Sequence, residues 1–173
     1  MTKSTLIKLQ PHEFSAIESL AVYYEYDMAH YCGHLPGWEF PTSGLYVSKA
    51  LMQGLKSYFK EKERFPFLIQ VDGHPAGFVM VNKVGTTPTV EWNMGEFFVA
   101  APYQRRKIGQ TIAKEIFAQF KGEWEVAVIP QNLRAYHFWK GVIKDVSDGK
   151  FTEEKKVLTQ PEMHQMIIFS FAS

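Results

Sequence analysis

The stretch Val99-Ala100-Ala101-Pro102-Tyr103-Gln104-Arg105-Arg106-Lys107-Ile108-Gly109-Gln110 carries a strand end, a basic turn and the start of an amphipathic helix. Upstream, Thr89 to Val99 reads as a strand that ends at Pro102. Downstream, Ile108, Ile112, Ala113, Ile116, Phe117 and Phe120 recur at helical spacing, and Lys121 and Gly122 supply C-terminal charge and cap. A helix N-terminus offers unpaired N–H groups and partial positive charge, so this order of elements suits a phosphate or pyrophosphate. Arg105, Arg106 and Lys107 add charge-assisted contacts. The other reading is a solvated basic turn, and spacing alone leaves both open.

Working outward, Glu125 to Ile129 is a strand, Asn132 to Lys140 a short helix, and Phe151 to Glu154 and Met163 to Phe171 are weaker strands. On the N-terminal side, Phe67 to Val71 and Ala76 to Val81 are apolar runs joined by the hairpin turn Asp72-Gly73, and Thr86, Thr87 and Pro88 make another turn. The run Thr5 to Leu9 precedes Pro11, which can open a helix. Its stripe is Phe14, Ile17, Leu20, Ala21, Tyr24, Met28 and Tyr31, stopped at Gly33. After a loop over Gly33 to Thr42, Ser43 caps a second helix with Leu45, Met52, Leu55, Tyr58 and Phe59 on its buried side, ending in the solvated charges Lys60 to Arg64. The order predicts an α/β (α+β) fold, a mixed sheet with helices on its faces.

A chain of 173 residues is the length of one domain, expected over residues 1–173. A formal charge of +1 argues against coating nucleic acid or an anionic membrane. Aromatic residues reach 15%, enough for an aromatic core plus a ring-lined pocket. The single cysteine, Cys32, excludes an intramolecular disulfide and fits a reducing cytoplasm. Met1 to Lys8 lacks the apolar core of a signal peptide, and no apolar run approaches membrane length, so a soluble, untargeted protein is expected. Phosphate-loop, serine-elbow, H-E-x-x-H and C-x-x-C motifs are absent from the sequence.

The turn resembles motif A of the GCN5-related N-acetyltransferases (GNAT), Gln/Arg-x-x-Gly-x-Gly/Ala, with Gln104, Lys107 and Gly109 on its defined positions and Lys107 in place of the first glycine. Val99 and Pro102 match the family's strand end. Asn132, Ala135, Phe138 and Trp139 resemble its Asn-x-x-Ala-x-x-Phe-Tyr segment. The resemblance implies a mixed, mostly antiparallel sheet of about six or seven strands, split at the cofactor site, with helices on both faces. It implies acetyl-CoA as co-substrate. Phe98 and Val99 would offer main-chain hydrogen bonds to the pantetheine arm, which lies in the opening between the fourth and fifth strands. Backbone N–H groups of Arg105, Arg106, Lys107, Ile108, Gly109 and Gln110 would hold the pyrophosphate. Asn132 would contact the pantetheine side, and Phe138 would pack near the cofactor.

In many family members a tyrosine in the place of Trp139 protonates the departing thiolate, and an indole N–H is no usable acid at neutral pH. Another donor, a water or solvent must serve; Tyr136 and His137 are near in sequence but point to other sides of a helix. For the base, Glu96 and Glu91 lie on the strand leading to the cofactor, and each could instead be a carboxylate on a wet strand face. Glu96, between Gly95 and two phenylalanines, is where desolvation would raise a pKa toward a useful value. Strict alternation puts Glu91 with Val99 and Glu96 opposite; a bulge at Gly95 would reverse that.

The acceptor pocket is expected from the two N-terminal helices and their loop, where Tyr23, Tyr24, Glu25, Tyr26, Asp27, His30 and Trp38 crowd together, with Tyr26, Asp27, His30 and Trp38 as the candidates. Acids and rings suit an amine or cation. His30, Cys32 and His34 lack a fourth ligand and Gly33 interrupts them, so no metal is expected. The first functional reading is an acetyl-CoA-dependent N-acetyltransferase acting by direct attack of an amine in a ternary complex. Its rivals are a noncatalytic acyl-CoA-binding or sensing domain and an RNA-binding module, the last weakened by the charge balance. Expected partners are a small-molecule or peptide amine, with a homodimer left open and neither nucleic acid nor membrane.

Overall fold

The computed structural model describes residues 3–159 and 163–173; of the domain expected over residues 1–173, residues 1–2 and 160–162 lie outside the described residues. The elements are β1 (Ser4–Lys8), α1 (Ser15–Cys32), α2 (Lys49–Ser57), β2 (Arg64–Val71), β3 (His74–Asn82), β4 (Trp92–Val99), α3 (Ile108–Gln119), β5 (Glu123–Val128), α4 (Leu133–Val146), β6 (Phe151–Leu158) and β7 (His164–Ala172). A short 3-10 turn, Ala101–Tyr103, separates β4 from α3. This is the expected order.

The seven strands form one mixed sheet in the order β1-β2-β3-β4-β5-β7-β6. β1 pairs antiparallel with β2, and β7 antiparallel with both β5 and β6. β4 and β5 are parallel, Trp92 to Met94 lying beside Trp124 to Val126. A parallel pair needs a crossover, and α3 is that crossover. The β2–β3 reversal uses Asp72 (φ 50) and Gly73 (φ 82), two successive positive φ angles, as a tight hairpin requires.

The chain divides into two compact units, Met1–Met80 with Glu96–Arg106, and Val81–Gly95 with Lys107–Ser173. In the first, Ile17 and Ala21 of α1 and Leu55 of α2 are buried with Leu68, Phe78, Met80 and Phe98. In the second, Ile112, Ile116 and Phe117 of α3 are buried, as are Trp124, Trp139, Val142, Ile143, Phe169 and Phe171. Phe117 meets Trp124 and Phe171 edge-on, at 4.8 and 5.1 Å between ring centres. Apolar burial of this kind contributes roughly 1.5–3 kcal/mol for each large side chain.

Several boundaries differ from expectation: β4 opens at Trp92 instead of Thr89, α4 runs on to Val146 instead of Lys140, and β6 to Leu158 instead of Glu154. α1 opens at Ser15 instead of Pro11, because the Gln10 N–H donates to the Glu13 carboxylate at 2.7 Å and holds a turn ahead of the helix. α2 is capped by Ser48, whose hydroxyl accepts from Leu51 N at 3.1 Å, and not by Ser43. The cause is long-range: the buried carboxylate of Glu25 accepts the Ser48 N–H at 2.6 Å and fixes where the helix starts. Leu45, expected on the buried side, therefore lies before the helix and is exposed. Arg64, expected at the solvated end of that helix, begins β2, paired with Glu61 at 3.2 Å and stacked over the Tyr58 ring. Among the described residues no helix is long and apolar enough to cross a membrane.

Candidate functional site

The stretch from β4 to α3 is built by two non-glycine residues with positive φ, Arg105 at 59° and Lys107 at 63°. Lys107 is the N-cap of α3 in left-handed conformation, which is how a lysine stands where the resembled motif has glycine. Its carbonyl accepts from Thr111 N at 3.0 Å, the first bond of the helix. No side chain caps α3, and its first turn holds no acidic residue. The N–H groups of Ile108, Gly109 and Gln110 thus begin a helix without an internal partner, next to the exposed Arg105, Arg106 and Lys107. An uncapped N-terminus beside three cations fits a pyrophosphate. The Gln104 side-chain amide donates to the Val99 carbonyl at 2.7 Å, closing the turn on the end of β4.

Phe98 is buried, and its carbonyl lies over Gly77, where an added methyl would sit 2.0 Å from the oxygen. Ala100 N donates to Ala76 O at 2.8 Å. Between these residues, Val99 is half-buried.

Glu96 is half-buried as a residue, with its carboxyl group enclosed. Burial raises its pKa to about 7, while a hydrogen bond donated by Tyr24 opposes the rise. The Tyr24 hydroxyl donates to Glu96 Oε2 in a short hydrogen bond. Burial and the neighbouring carboxylate push the Tyr24 phenol well above its ordinary value, so Tyr24 stays protonated and a donor at neutral pH. Glu96 and Phe98 both meet Tyr24, so alternation holds from residue 96 to 98.

Glu91 precedes β4 and is exposed. Its N–H donates to Glu123 O, and its carboxylate accepts from Glu123 N, both at 2.9 Å, so the residue ties the chain to the start of β5. The carboxylate leaves no room for a side chain at Gly122, whose Cβ would lie 2.2 Å from it. Asn132 is the N-cap of α4, its side chain accepting from Ala135 N at 3.0 Å. Phe138 is half-buried and Trp139 buried, the latter packed against Phe117 and Phe138. The Tyr136 hydroxyl is engaged by Lys140 at 2.7 Å and by Glu153 at 3.0 Å, and His137 is exposed.

Of the acceptor candidates, Tyr26 and His30 are exposed on α1 with ring centres 5.9 Å apart. Tyr26 also meets Phe40 and Tyr46 edge-on. Asp27 and Trp38 are half-buried, and the Trp38 carbonyl accepts from the Tyr46 hydroxyl at 2.7 Å. The loop thus supplies two further rings, Phe40 and Tyr46, that sequence reasoning left out. Reading also missed Tyr24 as the partner of Glu96, having placed it in the helical stripe and among the rings near the acceptor pocket. The one signal for it was that a tyrosine on a buried helix face needs an acceptor for its hydroxyl. Among the described residues no group of three or more His, Cys, Asp or Glu is placed to hold a metal.

Against known proteins, the sequence model of the family described as Acetyltransferase (GNAT) family matches residues 21–142, more than half of the chain. No curated protein matches the chain in sequence. Among solved structures, an acetyltransferase from Thermus thermophilus superposes with a TM-score of 0.68 at 13% identity, covering 99% of this chain and 97% of its own. The ribosomal-protein-S18-alanine N-acetyltransferase of Escherichia coli gives 0.58 at 13% identity over 98% and 94% of the two chains. A Salmonella typhimurium protein assigned as an acetyltransferase, whose structure holds its cofactor acetyl-CoA, gives 0.61 at 9% identity over 98% and 93%. At these identities the superpositions show a shared fold.

Proposed function

Because the chain belongs to the acetyltransferase (GNAT) family, we propose that it is an N-acetyltransferase that moves the acetyl group of acetyl-CoA to a primary amine of a small molecule or peptide. The observation that carries this reading is Glu96, an enclosed carboxyl group with a pKa raised to about 7 on the strand that runs into the basic turn. A general base works best with a pKa near the operating pH. An amine in water is mostly protonated at pH 7, and Glu96 takes its proton directly or through a water.

Acetyl-CoA, when bound, supplies an acetyl group activated as a thioester. The first-turn N–H groups of α3 and the charges of Arg105, Arg106 and Lys107 hold its pyrophosphate. With the Val99 carbonyl engaged by Gln104, Val99 contributes its N–H, and Phe98 its place in β4, to the pantetheine arm. That N–H is also suited to donate to the acyl carbonyl oxygen as negative charge develops there. Gln104 shapes the turn, and Trp139 and Phe138 serve as wall residues without proton chemistry. Tyr26, Asp27, His30 and Trp38 present rings and a carboxylate to a cationic acceptor. The lone buried Cys32 supports a reducing, cytoplasmic setting.

The test is thiol release from acetyl-CoA across a panel of polyamines, amino acids, amine antibiotics and peptide N-termini, with and without Glu96→Gln. We expect Glu96→Gln to lower kcat/KM by about 10² to 10⁴-fold while acetyl-CoA affinity barely moves. The acidic limb of the wild-type profile, with its midpoint at about 7, should vanish in this variant. An intact rate in Glu96→Gln overturns the assignment of the base. Binding of acetyl-CoA without transfer to any amine would make the chain an acyl-CoA sensor.

A further inference from the structure

We propose that Tyr24 is the positioning residue that aims the Glu96 carboxylate and sets its affinity for a proton. The proposal rests on the reading of Glu96 as the base. Tyr24 lies on α1 and Glu96 on β4, 72 residues apart, joined by the hydrogen bond from the Tyr24 hydroxyl to Oε2. The phenol cannot swing away: its ring stands edge-on against Phe78 at 5.5 Å and tilted against Phe98 at 5.7 Å. Those two rings lie 5.6 Å from one another and are buried. With Oε2 held by a fixed donor, Oε1 is the oxygen left for the acceptor amine, and its direction is set before the substrate arrives.

The same bond acts on the proton. Burial favours the neutral acid, and donation from the phenol favours the carboxylate, so the pair holds the group near neutrality instead of letting burial carry it higher. The other titratable groups acting on Tyr24 are Cys32 at the end of α1 and Tyr58 just beyond α2. Burial pushes the Cys32 thiol up, which keeps it uncharged at neutral pH.

The decisive measurement is the 13C carboxyl titration of Glu96 by NMR in the full chain and in Tyr24→Phe, its resonance identified by its loss in Glu96→Gln. Tyr24→Phe keeps the ring and removes only the donor. The midpoint should be at about 7 in the wild type and higher in the variant. The acidic limb of kcat/KM should move up by the same interval, so that a midpoint one pH unit higher costs about tenfold below it. At high pH the variant should recover most of its rate. An unmoved midpoint, with or without a fall in Tm, overturns the proposal, since a merely structural hydroxyl would lower stability and leave the titration in place. The titration needs no turnover, so full activity in Glu96→Gln would count against the base and not against the coupling.

Discussion

The N-termini of α3 and α4 both follow a strand within the second unit's helices, and they are finished in opposite ways. At α4, the Asn132 side chain accepts from Ala135 N, and Leu133 N donates to Gln131 O at 3.1 Å. That end pairs the donors of Leu133 and Ala135. At α3, the cap position is Lys107 in left-handed conformation, with no side-chain hydrogen bond and no acid in the first turn. A capped terminus has little left for a ligand, whereas an uncapped one among cations keeps both its donors and its field for an anion. The contrast separates a helix start closed by its own side chain from one left open, although each occupies a segment that resembles a family motif.

The largest expected effect is on binding. Arg106→Glu together with Gly109→Trp reverses one charge and blocks approach to the first turn of α3, and should weaken acetyl-CoA at least a hundredfold by calorimetric titration, about 2.7 kcal/mol. Unchanged affinity in a folded protein would break the comparison at its α3 side. Asn132→Ala should instead cost about 1 kcal/mol of stability in chemical denaturation, with acetyl-CoA affinity within a few-fold of wild type. A selective loss of affinity would give Asn132 the pantetheine contact that the family resemblance implies. The smallest effect is expected from Lys107→Gly, which relieves a non-glycine residue at φ 63. Stability should rise by at most about 1 kcal/mol, because glycine's freedom in the unfolded chain offsets part of the relief. Acetyl-CoA affinity should fall slightly with the lost charge.

Much of this molecule could be read from local pattern. The α3 stripe from Ile108 to Phe117 and the Asp72-Gly73 turn are short-range signals, since the period of a helix and the twist of a hairpin involve only neighbouring residues. Their elements stand where they were expected. The start of α2 was not readable in this way: Ser43 was the expected cap, and Glu25 on another helix holds the Ser48 N–H, so that the helix starts five residues later. A second case is the bond from the Gln104 amide to the Val99 carbonyl five residues back, which the motif position did not reveal.

The two glutamates show the same division most sharply. By itself the sequence determined the order of strands and helices, the basic turn that opens α3 and the presence of two acids ahead of it, because apolar period, turn residues and charge are properties of contiguous chain. Which acid has base chemistry within reach depends on surroundings drawn from elsewhere. Glu91 is exposed and bound to the backbone of Glu123, while Glu96 is enclosed, with a phenol from residue 24 on its carboxylate. Desolvation and hydrogen bonding to distant segments exist only once the chain is packed; the first lifts the carboxyl group out of the ordinary range, and the second restrains the rise at about 7.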